Sequence, residues 1–200
     1  MEKWHNSIMK KYLKIYINAP ITLTFVLICL CATVAGIFFE DSTLLFFSTY
    51  RSSLSDPLTY VRLFGHIFGH ADMNHFFNNM VYILLLGPIL EEKYHHNLIP
   101  IIGGVALITG IVHNLFSNSI LLGASGIVFA FILLSSVTGN QEGIPLTLIF
   151  VAIFYLGTEL VNAFSSDTVS QMTHIIGGLS GAGIGLLIKK GQINNTNPEN

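Results

Sequence analysis

Residues 17–39 read Ile-Asn-Ala-Pro-Ile-Thr-Leu-Thr-Phe-Val-Leu-Ile-Cys-Leu-Cys-Ala-Thr-Val-Ala-Gly-Ile-Phe-Phe, a run without one charged side chain. Crossing the hydrocarbon core of a bilayer takes roughly 20 such residues as a helix. Five further apolar segments follow, at 75–90, 98–116, 125–138, 145–164 and 172–187. Pro100 falls in the first turn of the third, where its missing N–H is harmless. The whole chain of 200 residues agrees: 52% hydrophobic, 10% charged, mean hydropathy +0.64. Ordinary soluble domains carry about 25% charged residues. The fold class expected is therefore an all-α membrane protein with six transmembrane helices.

Between the first two spans, residues 40–74 are aromatic and mixed in polarity, so a long, ordered, partly interfacial loop is expected there. Residues 1–16 read as an amphipathic cytoplasmic segment and not as a signal peptide. Residues 17–189 form the six-helix core, and the Asn- and Pro-rich 190–200 a disordered tail. Lys3, Lys10, Lys11 and Lys14 precede the first span, Lys93 separates the second from the third, and Lys189 and Lys190 follow the sixth. Six spans put all of these on one side, with only Arg51 and Arg62 opposite, so both termini are predicted to be cytoplasmic. A net charge of −2 offers no basic field for nucleic acid. Cys29 and Cys31 sit two apart on a helix, facing different sides, which disfavours a mutual disulfide or metal pair.

Polar residues at membrane depth are expensive and mark cavities or chemistry. Three clusters stand out. His75 and Asn79 are four apart, hence on one helical face, after His70. They could donate hydrogen bonds to one small anion, or be interfacial polar residues. Gly123-Ala124-Ser125-Gly126 opens the fourth span, where the helix dipole favours negative charge. Ser125 there is either a nucleophile or an N-cap with glycines for close packing. Gly177, Gly181 and Gly185 form a small-residue stripe that lets helices approach closely, with His174 just before it. That cluster is a glycine zipper with an incidental histidine, or a device for holding His174 against the serine. Together the three supply nucleophile, base and oxyanion donors, the parts of an acyl-transfer site.

In these motifs the sequence resembles the rhomboid family of intramembrane serine proteases, over about residues 60–185. The matching features are Arg62, His70 and His75 followed by Asn79, Gly87 with Glu91, the GxSG motif at Gly123–Gly126, and His174 with Gly177 and Gly181. The resemblance implies a six-helix rhomboid-like bundle without a cofactor or metal, in which Ser125 is nucleophile and His174 general base. It makes His75, Asn79 and the Ser125 N–H the oxyanion donors, and Arg62 and Glu91 structural anchors. Phe129 stands where an aromatic packs on the catalytic histidine. Many members carry tyrosine there, and tryptophan often precedes the arginine that here follows Tyr60-Val61.

No carboxylate is placed to orient His174, which favours a dyad. Glu159 is the one acidic residue that could reach the site, and it reads more simply as an interhelical hydrogen-bonding group. His66, His70, Asn74, His75, Asn78, Asn79 and Ser125 could line a water-filled cavity, with 165–171 as its lid. The expected partners are single-span or multi-span membrane proteins and the lipid bilayer, cut near the extracytoplasmic boundary in a prokaryotic plasma (inner) membrane. H-E-x-x-H and paired intramembrane aspartates are absent from the sequence, which excludes the zinc and aspartyl types of intramembrane protease. The alternative is a non-proteolytic rhomboid-like protein that binds transmembrane clients.

Overall fold

A computed structural model describes residues 16–136, 146–147, 149–150, 153–154 and 175–188. The described chain is helical: α1 Pro20–Phe38, α2 Glu40–Phe46, α3 Pro57–Gly65, α4 Met73–Tyr94, α5 Leu98–Phe116 and α6 Ser125–Ser136, with α7 spanning Ile175–Ile188. Residues 146–147, 149–150 and 153–154 are helical too. His174, Glu159, the 165–171 linker and both terminal segments expected from sequence lie outside the described residues.

The region read as a loop, 40–74, holds two short helices. Asp56 caps α3 by accepting from the Leu58 N–H at 3.0 Å, and Pro57 supplies a first helical residue that needs no acceptor. The second span is longer than its apolar run. Asp72 caps it at the His75 N–H (2.8 Å), and it continues through the polar Glu91-Glu92-Lys93 to Tyr94. Helix α5 occupies 98–116, as the apolar pattern predicts.

The stretch 73–116 is apolar and long, but it is two antiparallel helices. The chain turns at His95–Asn97, where His95 takes φ 50°. Thr109 and Asn114, late in α5, then return to the 47–72 segment that leads into α4. Thr109 Oγ1 lies 3.1 Å from His66 Nε2, and Asn114 donates to the Tyr50 carbonyl at 2.8 Å.

Helix α1 has no cap of its own: Ala19 precedes it and Pro20 opens it. The cap comes from α4. The Glu91 carboxylate accepts from the Ile21 and Thr22 N–H groups (2.8 and 2.9 Å) and from the Thr22 hydroxyl (2.8 Å). Two first-turn donors are thus satisfied and a negative charge sits at the positive end of the α1 dipole. Gly87, one turn earlier, makes room: a Cβ there would lie 2.7 Å from Thr22 Oγ1.

The interior is apolar, with Ile83, Leu90, Leu98, Ile101, Val105, Ile127 and Leu134 buried. The exterior is apolar as well. Leu27, Ile37, Phe38, Val81 and Leu85 are all exposed. A surface so apolar over long helices belongs in hydrocarbon, and the chain is a membrane protein. Of the described helices, α1 and the α4–α5 stretch are long enough to cross a bilayer, whereas α6 and α7 are apolar but shorter.

Replacing Glu91 by alanine is expected to lower stability by about 2 kcal/mol, with Glu91→Gln losing less because one acceptor remains. Thermal unfolding in detergent measures this.

Candidate functional site

The segment before α6 is not helical, so its peptide groups need partners from elsewhere. The long 47–72 segment provides them. Thr49 and Leu121 exchange two backbone hydrogen bonds, both 2.8 Å, as an isolated antiparallel bridge. The Gly123 N–H donates to the His66 carbonyl at 2.9 Å. The Ala124 N–H faces His70 Nε2 at 3.5 Å. Ala124 then accepts from the Ile127 and Val128 N–H groups, both at 2.9 Å. Ser125 is therefore the first residue of α6, its backbone N–H at the positive end of the helix dipole.

Gly123 has φ +121°, a conformation that disfavours side chains. Space forbids one independently. A Cβ at Gly123 would lie 2.7 Å from His75 Cε1, 2.8 Å from His75 Nε2 and 3.7 Å from Asn79 Nδ2. His75 and Asn79, one turn apart on α4, thus both face the Gly123 turn, two residues before Ser125. The Asn79 amide nitrogen is buried and has no hydrogen-bond partner among the described residues. Leaving such a donor unmade costs about 1–3 kcal/mol, and sites of this kind recur where a donor serves a reaction.

Helix α7 crosses α6 beside the serine. A Cβ on Gly177 would stand 3.1 Å from Gly126 Cα and 2.9 Å from Thr109 Cγ2. Farther along, Gly181 meets Ala130 and Val105, and Gly185 meets Leu134 and the Tyr94 hydroxyl. The stripe expected from sequence is therefore the packing face of α7. Gly178 rests against the Phe129 ring.

His66 and His70 are buried in the loop that carries them. Burial pushes the pKa of each down to about 4, with the neighbouring His75 adding to the effect at His70. A neutral His70 fits its contacts. Nε2 can accept from Ala124 while Nδ1 lies 3.2 Å from the Phe68 carbonyl and 3.4 Å from Thr33 Oγ1. Arg62 is buried, paired with Asp56, and its guanidinium lies 4.8 Å over the Tyr50 ring. Arg62 holds the Asp56 carboxyl below its ordinary pKa.

Of the residues expected to share one wet cavity, His66 and Ser125 border a small cavity together with Thr109, Gly123 and Gly126. His70 and Asp72 instead line a cleft of about 400 Å³ with Thr33, Ser48 and Leu122. Asn74 and Asn78 are exposed on α4. Sequence reasoning missed Thr49, Asp56 and Thr109. The Asp-Pro pair at 56–57 was a readable cap signal, whereas the pairing of Thr49 with Leu121 leaves no local trace.

Residues 57–191 match the Rhomboid domain. The chain belongs to the rhomboid family. It is similar to Rhomboid-related protein 1 of Caenorhabditis elegans, 29% identical over 140 residues, which is 64% of this chain. The matched part is 39% of that relative's length. The rhomboid match takes in α3 through α7, the elements that carry Arg62, His75, Asn79, Glu91 and the GxSG turn. The cap that Glu91 places on α1 joins the matched region to the helix before it.

Two histidines held neutral set an acid limit on this rhomboid fold. Unfolded chains take up protons as pH falls through about 6.5, whereas the folded loop resists until about 4. Stability is therefore full above about pH 6.5 and is lost as pH falls toward 4. Unfolding temperatures measured between about pH 7 and about pH 4.5 should drop, and His66→Gln should flatten the slope.

Proposed function

We propose that this chain is an intramembrane serine endopeptidase working through a Ser125/His174 dyad. The observation that carries this reading is the buried Asn79 amide, unpartnered among the described residues and set with His75 against the Gly123 turn of the GxSG motif. In addition, the Gly126–Gly177 crossing brings the start of α7 beside the first turn of α6, and His174 directly precedes α7 in sequence.

In the proposed mechanism neutral His174 takes the Ser125 hydroxyl proton as Oγ attacks a peptide carbonyl. The carbonyl oxygen becomes an oxyanion, which accepts from Asn79, His75 and the Ser125 N–H. Collapse breaks the C–N bond, and His174 returns the proton to the leaving amine. Water, deprotonated by the same imidazole, then hydrolyses the acyl-enzyme and frees Ser125. A peptide carbonyl inside an intact helix is hidden from such attack. Substrates are therefore membrane proteins whose transmembrane segments carry helix-weakening residues near the extracytoplasmic boundary. Six spans with both termini cytoplasmic, in a prokaryotic plasma membrane, complete the reading. Phe129, whose ring lies against Gly178 on α7, is the aromatic this reading assigns to the base, and Glu91 and Arg62 hold the scaffold.

Purified protein in liposomes should cleave a single-span substrate, and Ser125→Ala and His174→Ala should each abolish cleavage without unfolding the protein. Asn79→Ala should lower kcat by about 10²-fold with little change in KM. A fluorophosphonate probe should label wild type and spare Ser125→Ala. If wild type is neither labelled nor active on a panel of substrates, the chain is a client-binding rhomboid and not a protease.

A further inference from the structure

Gly123 has no side chain and takes φ +121°, so the peptide groups on either side of it rotate easily unless something holds them. Both are held. The Gly123 N–H donates to the His66 carbonyl at 2.9 Å. The next peptide, between Gly123 and Ala124, presents the Ala124 N–H to His70 Nε2 at 3.5 Å. It leads directly into Ser125, so the group that holds it also sets the start of α6. The partners of the His70 ring fix its tautomer. An N–H can only donate, so Nε2 facing Ala124 is bare. Nδ1 lies 3.2 Å from the Phe68 carbonyl, which can only accept, and 3.4 Å from Thr33 Oγ1. The Thr33 hydroxyl gives its proton to the Cys29 carbonyl at 2.8 Å and turns a lone pair toward His70. Nδ1 therefore carries the hydrogen.

Donation thus runs one way, from Ala124 through His70 and Thr33 to the backbone of α1, and each link polarises the next. Ala124, His70, Thr33 and Cys29 are all buried. The same ring stands edge-on to the rings of His75 and Phe76, with centroids 5.1 and 5.5 Å away. One imidazole therefore touches both the turn before the serine and one of the two donors that face that turn. We propose that His70 and Thr33 are positioning residues, forming a relay from α1 that aligns the GxSG turn with the oxyanion donors His75 and Asn79. The inference rests on the proteolytic reading of Ser125. It gives α1, which precedes the matched region 57–191, a part in the reaction. Neither side chain exchanges a proton with substrate. His70 acts through Ala124 and His75, and Thr33 acts through His70.

The test replaces one side of the ring at a time, in the full chain in liposomes. Glutamine can put its amide oxygen near the place of Nε2 and keep an acceptor for Ala124. Asparagine can put its amide nitrogen near the place of Nδ1 and keeps only the donor to Phe68 and Thr33. His70→Asn should lower kcat on a single-span substrate roughly 10²-fold with KM little changed, and slow fluorophosphonate labelling of Ser125 in step. His70→Gln should stay within about fivefold of wild type. Thr33→Val should lower kcat about fivefold, and Thr33→Ser should recover the loss. Nitrogen NMR of histidine-labelled wild type, with the His70 signal assigned by its loss in His70→Gln, should show a protonated Nδ1 and a bare Nε2. The opposite tautomer would overturn the relay whatever the kinetics. An active wild type with equal kcat in the asparagine and glutamine variants would overturn this proposal alone. A wild type that neither cleaves nor takes the probe would overturn the proteolytic reading and this one with it. If His70→Asn does not fold, the Thr33 pair and the spectra decide: equal kcat in Thr33→Val and Thr33→Ser would overturn the part given to α1.

Discussion

A peptide group outside a helix, surrounded by apolar material, must find a partner, and this requirement organises the molecule around Ser125. The chain leaving α5 cannot stay helical and still present a helix start at Ser125. Its exposed amides and carbonyls are met by the 47–72 segment, through Thr49, the His66 carbonyl and the His70 ring. The long segment between the first two spans is thus the support on which the GxSG turn rests. That role explains its own internal fastening. Arg62 ties to Asp56 and Tyr50, Asn114 ties Tyr50 and Ser52 to α5, and Asp56 caps α3.

Close approach is the second constraint. In a bilayer, lipid tails are as apolar as leucine, so helices associate through tight backbone packing and shared hydrogen bonds. Glycine serves the first need at Gly177, where a single added Cβ would stand 3.1 Å from the Gly126 backbone. Glu91 serves the second. Its carboxylate is buried at low cost because three donors from α1 meet it. One side chain therefore both ends the solvation problem at the start of α1 and locks α1 to α4.

Polar chemistry is gathered at one end of the bundle and anchoring at the other. His66, His70, His75, Asn79 and Ser125 lie around the GxSG turn, close to the 47–72 segment. Glu91, Glu92, His95 and His96 lie where α4 reverses into α5. The apolar layer between them is the buried row through Ile83, Val105 and Ile127.

Much of this was legible in the residues alone. The uncharged run at 17–39 and the apolar patterns after it specify membrane helices, because exposing so many methylenes to water is untenable. The four-residue spacings of His75 with Asn79, and of Gly177, Gly181 and Gly185, specify which side chains share a helix face, because 3.6 residues make a turn. What the sequence could not convey is which faces meet. Asp56 with Arg62 was within local reach, as the Asp-Pro signature shows. Thr49 against Leu121, His66 against Thr109 and Glu91 against Thr22 join residues far apart in sequence, each answering an unsatisfied group on another element. Local chemistry determined the elements and the reactive vocabulary. Only the tertiary structure decided the pairings, because a hydrogen-bond partner is chosen by proximity in the folded chain and spacing along it carries no record of that choice.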